Sequence, residues 1–402
     1  MTYEKTVNWM YSQLPMYQKQ GKTAYKANLN NVLLLSTKLN NPHKKFKSIH
    51  VAGTNGKGSS CHMLSSVLQE SGYKVGLFTS PHLKDFRERI KINGKEITKQ
   101  FVINFIKKNK DFLEENKLSF FEMTVGMCFS YFEKQKVDIA VIEVGLGGRL
   151  DSTNIIIPQI SLITNIGLDH TDILGDTLQK IAVEKAGIIK NDIPVVISEY
   201  QKETYPVFQE IAKQKKAKII LAENTVVNFK TDLLGDYQLG NIKGVLSVLN
   251  HLKGFKTSKK NIKTGLLNVV KNTGLKGRWY ILNENPKIVL DTAHNKEGLE
   301  IVLNQIKKEK YKQLHVVLGV VKEKNLSSIL PLFPKDAKYY FCCPKIDRGL
   351  DASILHEEAI KFNLYGSVFA SVLEAYNEAV NNSDDEDLIY VGGSTFVVAE
   401  II

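Results

Sequence analysis

Val51-Ala-Gly-Thr-Asn-Gly-Lys-Gly-Ser-Ser60 decides how the rest of the chain is read. The run that leads into it, Ser48-Ile-His-Val-Ala52, is largely apolar and β-branched, the mark of a strand. After it, Met63, Leu64, Val67 and Leu68 recur at helical spacing. Strand, glycine-rich turn and helix in that order open a βαβ unit. Gly53, Gly56 and Gly58 let the backbone take positive φ and approach a bulky anion. The N–H groups at the helix start then point at that anion. Lys57 adds a positive charge, and Ser59 or Ser60 offers a hydroxyl to a magnesium ion. The spacing departs from the standard phosphate-binding loop, which sets its glycines further apart and has Ser or Thr directly after its Lys. Here Thr54 and Asn55 alone separate Gly53 from Gly56, and Gly58 follows Lys57.

Outward from this turn the pattern continues as an α/β domain. A second strand, Lys74-Val-Gly-Leu-Phe-Thr79, completes a parallel crossover. The loop Ser80-Pro-His-Leu-Lys-Asp-Phe-Arg-Glu-Arg89 leaves its C-terminal end, where ligands gather in open α/β sheets. Helices are expected over 98–116 and 121–135. Val137-Asp-Ile-Ala-Val-Ile-Glu-Val144 reads as a strand buried on both faces, with one acid, Glu143, near its end. The loop Gly145–Asn154 follows, then the strand Ile160–Thr164 and the loop Asn165–Thr171. A helix over about 177–187 holds Glu184 and Lys185. In a parallel sheet the glycine-rich turn, Ser80-Pro-His82, Glu143 and Asp169-His170 share one edge. Glu143 is a hard ligand suited to magnesium and Ser80 supplies a hydroxyl, whereas the His170 imidazole prefers softer metals. Ahead of all this, residues 1–47 read as helices joined by the polar loop Gln18–Thr23, the second carrying Leu29, Val32, Leu33 and Leu35.

The chain has 402 residues, which argues for two domains. The expected division is a nucleotide-binding domain over 1–275, a connection over 276–286 and a second domain over 287–402. Strands of the second domain are expected near 287–291, 314–320, 337–342 and 387–392. The first of them ends in Asp291 and leads into Thr-Ala-His-Asn295. The fold class is therefore α/β: a P-loop domain with a mainly parallel sheet, plus a smaller Rossmann-like domain. The net charge of +12 favours anionic partners, but the lysines are dispersed, as on a solvated surface. Cys61, Cys128, Cys342 and Cys343 form no C-x-x-C pair, which argues for a reducing compartment and against structural zinc. The N-terminus is polar and no apolar run is long enough for a membrane span, so a cytoplasmic protein is expected.

The longer motifs carry a family resemblance. They are His50–Ser59, Thr79-Ser-Pro-His-Leu83, Glu143-Val-Gly-Leu-Gly-Gly-Arg-Leu-Asp-Ser-Thr-Asn154, Leu168-Asp-His-Thr171, Glu184-Lys-Ala-Gly-Ile188, Asp291-Thr-Ala-His-Asn295 and Gly392-Gly-Ser394. In these the chain resembles folylpolyglutamate synthases and bifunctional dihydrofolate synthases, within the Mur ligase superfamily of ATP-dependent amide-forming enzymes. The resemblance implies ATP, magnesium (two ions) and a carbamate on Lys185 as cofactors. It implies that Asn55, Gly56, Lys57, Gly58 and Ser59 wrap the ATP phosphates, Asn241 meets the adenine and Arg278 the γ-phosphate. Asp291 and His294 would reach ATP from the second domain. Ser80, Glu143, His170 and the modified Lys185 would hold metal, and Lys57, Lys185, His170 and Arg278 would serve the chemistry. Leu29, Phe121, Glu122, Met123, Thr124, Leu150, Asp151 and Ser152 would line the pteridine site.

The implied reaction activates a carboxylate of dihydropteroate or a reduced folate as an acyl phosphate, which the amine of L-glutamate then attacks. The expected partners are these small molecules alone, with neither nucleic acid nor membrane, on a monomer. Departures are Lys276 where Pro is usual, Lys296 after the Asp291–Asn295 motif, and Val321-Lys-Glu-Lys-Asn325 for a commoner Asp-Lys-Asp. The alternatives are a folylpolyglutamate synthase without the dihydropteroate activity, a Mur-type UDP-muramoyl peptide ligase, and a basic P-loop nucleotide switch. A Mur-type ligase usually carries a third, N-terminal domain, and only about 50 residues precede the glycine-rich turn. The switch leaves the 141–154 and 168–171 loops without a role.

Overall fold

The computed structural model describes residues 2–14 and 28–402, so the loop expected at Gln18–Thr23 lies outside the described residues. The chain divides into two compact units: Met1–Asp232 with Gln238–Leu275, and Leu233–Tyr237 with Lys276–Ile402.

The first unit is built on an eight-stranded sheet. Its strands are β1 (Lys47–Ala52), β2 (Val75–Phe78), β3 (Ile90–Ile92), β4 (Lys95–Glu96), β5 (Ile139–Glu143), β6 (Ile160–Ile163), β7 (Val195–Ile197) and β8 (Ile219–Leu221). They lie in the order β4-β3-β2-β5-β1-β6-β7-β8, and β3 alone runs opposite to the others. The continuous apolar runs have the cause inferred from sequence. Ile49, Val51, Ile139, Val141 and Ile142 are sealed from solvent on both faces of the sheet. Short β3 and β4, for which the sequence pattern carried no expectation, close one edge and put Lys91 and Lys95 there.

The register sets the functional edge. Val51 pairs with Glu143, Ala52 with Ile163 and Phe78 with Ile142, so β1, β2, β5 and β6 end level with one another. From β1 the chain passes through the helix Lys57–Glu70 to β2 on one side, while β6 flanks β1 on the other. The end of β1 is therefore the point where strand order reverses, the place where open sheets bind ligands. Helices cover both faces. One apolar cluster joins Phe78, Ala140 and Ile142 to the helices Tyr3–Gln13, Asn30–Lys38, Lys99–Glu115 and Phe120–Gln135. Another joins Ala52, Ile163 and Ile197 to Ile181, Ala182 and Ala186 of the helix Leu178–Ala186.

The second unit holds six strands: β9 (Tyr280–Glu284), β10 (Lys287–Leu290), β11 (Leu314–Leu318), β12 (Lys338–Phe341), β13 (Gly366–Val368) and β14 (Leu388–Gly392). Their order is β13-β12-β11-β14-β10-β9, parallel except for β9. The segment 276–286, expected as a connection, instead belongs to this unit and forms the edge strand β9. Its half-exposed or exposed residues hide the strand from a periodicity reading. The five residues Leu233–Tyr237, expected inside the first domain, also belong here. They dock through Asp236 N–H to Gln305 Oε1 at 2.7 Å and Gln305 Nε2 to Leu234 O at 3.0 Å.

Cys61, Cys128 and Cys342 are buried, Cys343 is half-buried, and none forms a disulfide. Among the described residues no helix is long and apolar enough to cross a membrane.

Candidate active site

The turn between β1 and the helix Lys57–Glu70 needs its glycines for steric as well as conformational reasons. Gly53 (φ 145°) and Gly56 (φ 83°) both sit where side chains are rarely tolerated. A Cβ on Gly53 would overlap Thr164 Oγ1, and one on Gly56 would overlap Asn241 Oδ1. The turn is tied down from the loop that follows β6. Thr54 N–H donates to Asn165 O at 2.9 Å, Asn55 N–H to Asn165 Oδ1 at 2.8 Å, and Thr164 Oγ1 to Asn55 O at 2.6 Å. Asn241 Nδ2 donates to Gln238 Oε1 at 2.8 Å, and Gln238 Nε2 to Ser59 Oγ at 3.2 Å. The structure thus brings Asn55, Gly56, Lys57, Gly58, Ser59 and Asn241 together. Asn165, Thr164 and Gln238 fix them, and single polar residues like these carry no pattern that sequence reading could have used.

Two amines converge on the turn. Lys57 Nζ donates to Gly53 O at 2.8 Å and Thr54 O at 3.0 Å, and Lys185 Nζ to the same Gly53 O at 2.9 Å. Lys185 comes from the helix Leu178–Ala186 and is only 4% exposed. Burial, reinforced by the charge of Lys57, pulls its amine down to about 7, against the opposing pull of Asp169 and Asp151. Burial thus favours the neutral form of this amine.

At the same edge, Ser80 N–H donates to Glu143 Oε2 at 3.1 Å, which places the loop after β2 against the acid that ends β5. Glu143 is buried. His170 stands in the left-handed region (φ 51°), its N–H bonded to Asp169 Oδ1 at 3.0 Å and its Nε2 3.8 Å from Asp169 Oδ2. A hydroxyl, a carboxylate and an imidazole on strand-end loops of one sheet edge suit a hard divalent cation that draws its other ligands from water and phosphate. Among the described residues no three His, Cys, Asp or Glu side chains form a complete metal cage. Arg89, which sequence reading passed over, is buried beside this edge. Its Nε donates to His82 Nδ1 at 2.7 Å, and Tyr11 Oη lies 3.1 Å from His82 Nε2. Burial brings the Arg89 guanidinium down to about 10, with Tyr11 and Glu143 opposing.

The pteridine candidates separate into two groups. Asp151 organises its own loop: Oδ1 accepts from Thr153 N–H at 2.9 Å and Oδ2 from Leu146 N–H at 2.9 Å. Burial raises its carboxyl, and these bonds oppose the rise. Glu122 is the partner in a capping box, its Oε2 accepting from Ser119 N–H at 2.7 Å while Ser119 Oγ accepts from Glu122 N–H. Met123 and Thr124 have no exposed surface, and Thr124 Oγ1 donates to Phe120 O at 2.7 Å. These four residues are buried, and three of them are tied to their own loop or helix turn. Leu29, Phe121, Leu150 and Ser152 are the candidates not sealed in, and Phe121 lies where a Cβ on Gly145 would strike its ring. The 145–154 loop also packs tightly on the Lys185 helix. Arg149 N–H donates to Glu184 O at 2.7 Å, and a Cβ on Gly148 would crowd Glu184 O and Lys185 O.

In the second unit Arg278 Nη1 donates to Gly277 O at 3.1 Å. Asp291 is buried and accepts from Trp279 N–H at 2.7 Å, Tyr237 Oη at 2.7 Å and Ala293 N–H at 2.8 Å. Burial raises its carboxyl, opposed first by the Arg278 charge. His294 Nδ1 lies 2.9 Å from Thr292 O, so that nitrogen carries the proton in the bond. Arg278, Asp291 and His294 share the end of β10 and its approach.

Residues 51–249 match the Mur ligase middle domain family, and residues 277–395 the Mur ligase glutamate ligase domain family. Over 82% of this chain and 82% of its counterpart, the sequence is 33% identical to the dihydrofolate synthase/folylpolyglutamate synthase of Bacillus subtilis. It is 30% identical to a probable bifunctional folylpolyglutamate synthase/dihydropteroate synthase of Haloferax volcanii, where all of this chain spans 50% of that protein's length. Among solved structures, E. coli FolC in complex with DHPP and ADP aligns with a TM-score of 0.89 and 26% identity, over 100% of this chain and 97% of that one. A bifunctional folylpolyglutamate synthase/dihydrofolate synthase with Mn, AMPPNP and L-Glutamate bound aligns with a TM-score of 0.87 and 26% identity, over 100% and 97%.

Proposed function

This chain belongs to the dihydrofolate synthase/folylpolyglutamate synthase family of Mur ligases, and from that premise we propose that it is an ATP-dependent ligase joining L-glutamate to dihydropteroate and to the glutamyl tail of a reduced folate. Relatives bound to ADP, AMPPNP, Mn and glutamate support a nucleotide and a divalent metal as its working partners. The observation that carries the ligase reading over a nucleotide switch is Lys185. A buried amine bonded to the glycine-rich turn itself, its charged form disfavoured by burial, is costly for the fold, and carboxylate activation gives it a use.

The chain's own groups account for the chemistry. The N–H groups from Gly56 onward cradle the ATP phosphates at the helix start. A carboxylate oxygen of the acceptor attacks the γ-phosphorus, the bond to ADP breaks and an acyl phosphate forms. Lys57 and Arg278 offset charge in that transfer. The amine nitrogen of glutamate then attacks the acyl carbon, and phosphate leaves as the amide forms with loss of a proton. Ser80, Glu143 and His170 would hold magnesium, which supplies charge neutralisation at the phosphates. Neutral Lys185 is suited to take up carbon dioxide, becoming an anionic oxygen ligand for a second ion. We place the enzyme in the cytoplasm as a monomer.

Purified protein given ATP, magnesium, labelled L-glutamate and either dihydropteroate or tetrahydrofolate should incorporate label with both acceptors. Incorporation with tetrahydrofolate alone reduces the reading to a folylpolyglutamate synthase, and none with either acceptor sinks it.

A further inference from the structure

Arg278 rides on a turn that is clamped on both sides. On one side Gly277 O accepts from both Thr292 N–H and Thr292 Oγ1, each at 3.1 Å. On the other, Trp279 N–H donates to Asp291 Oδ2 at 2.7 Å. Trp279 has φ 47°, a region that bulky residues rarely adopt, and its indole is buried in the core of the second unit. Backbone preference alone would not keep this turn, so its bonds must. Asp291 supplies the bond on the strained side, and the same Oδ2 accepts from Tyr237 Oη at 2.7 Å.

Tyr237 arrives by an unusual route. It ends the five-residue excursion Leu233–Tyr237, which the chain makes into the second unit before returning. The next residue, Gln238, opens a helix of the first unit and donates to Ser59 at the phosphate-binding turn. The Tyr237 ring packs against the second unit's core, a role that phenylalanine would fill equally. The hydroxyl does something more specific: it pins the carboxylate that holds Trp279.

We propose that Tyr237 is a positioning residue for Arg278, its hydroxyl fixing Asp291 and thereby the direction in which the Arg278 guanidinium is presented. The inference rests on the reading of Arg278 as the γ-phosphate contact. Its test is a double-mutant cycle in the full chain with Tyr237→Phe and Arg278→Ala, following ADP release at saturating acceptor and glutamate. Tyr237→Phe should lower kcat about tenfold and change KM for ATP less than about twofold, because the contact matters in the transferring state. In the Arg278→Ala background, the same substitution should change kcat less than about twofold. A Tyr237→Phe enzyme with unchanged kcat, or one whose tenfold loss recurs undiminished without Arg278, overturns the positioning role while leaving the ligase reading intact. An Arg278→Ala enzyme with unchanged kcat removes the γ-phosphate assignment itself, and this proposal with it.

Discussion

Each unit holds a buried basic group against its sheet, and the two are built on opposite terms. In the second unit His315, fully sealed from solvent, lies between Tyr340 Oη at 2.9 Å and Asp387 Oδ2 at 3.2 Å. Asp387 also accepts from Gln313 N–H at 3.0 Å and Asp384 N–H at 2.9 Å. An ionised Asp387 can only accept, so His315 Nε2 donates to it and Nδ1 accepts from Tyr340. Every member is satisfied with the histidine neutral. The set sits where β11 and β14 begin, the edge away from the strand-end loops. In the first unit, Lys185 shares one carbonyl with a second cation and sits at the strand ends. A satisfied network supports a fold, whereas a buried amine pushed out of its charged state costs the fold free energy.

The sharpest way to break this contrast is Lys185→Met. Turnover should fall by at least about 10³-fold, yet the protein should melt higher, because an apolar side chain carries no charge to desolvate. The sign follows from the titration. The amine titrates near 7 in the folded state and in its ordinary range near 10.5 when unfolded. Between those values the unfolded chain holds more protons, so stability rises with pH, and the penalty is complete below about 7. The melting advantage of Lys185→Met should therefore be largest below about pH 7 and fade only as pH approaches about 10.5. A variant that melts below the parent at pH 6 would place Lys185 among the satisfied groups.

Gly56→Ala comes next. The new Cβ meets Asn241 Oδ1 at a position with φ 83°. KM for ATP should rise by about 10²-fold with modest loss of stability, read by nucleotide titration and thermal melting. An unchanged KM would mean that the turn does not hold phosphate.

On the second unit, His315→Gln should cost about 1–2 kcal/mol at pH 7 by urea unfolding, since it disturbs a satisfied buried set. Burial lowers His315, so the folded state resists taking up its proton and stability is lost as pH falls below the ordinary histidine value of about 6.5. Asp387 is also lowered, held there by backbone N–H groups and His315 against burial, so its contribution is lost further into acid. The glutamine variant should therefore lose less stability than the parent between about pH 6.5 and 5. Equal slopes would mean that His315 does not titrate with unfolding.

How much of this was legible depends on where each signal resides. Largely apolar runs marked β1, β5, β6 and β10, because a strand buried on both faces has no room for alternation. That Ser80, Glu143 and His170 lie on loops at one edge of the sheet followed from parallel topology alone. The membership of Leu233–Tyr237 and the strand Tyr280–Glu284 did not. Both are short, partly exposed and held by long-range partners such as Gln305 and β10. Lys185 was legible only through the family motif, because on a short helix its spacing reads as solvent-facing and only the tertiary fold buries it. Glu122 was read by motif position as a pteridine contact, and the capping geometry assigns it a local task.

Glu122 supplies the smallest and cleanest test, because a capping residue and a ligand contact fail differently. Ser119 and Glu122 exchange bonds across the first turn of the helix Phe120–Gln135, whose next residues are core. Ser119→Ala removes one acceptor and should lower stability by about 1 kcal/mol with KM for dihydropteroate unchanged. Glu122→Gln keeps an acceptor for the Ser119 N–H, so the helix start should survive and stability should move by less than about 0.5 kcal/mol. A carboxylate that bonded the pteridine would be missed far more, since losing a charged partner to a buried polar ligand costs about 1.5–3 kcal/mol. Dihydropteroate KM for Glu122→Gln within about twofold of the parent therefore assigns the residue to the helix cap, while a rise of tenfold or more returns it to the substrate.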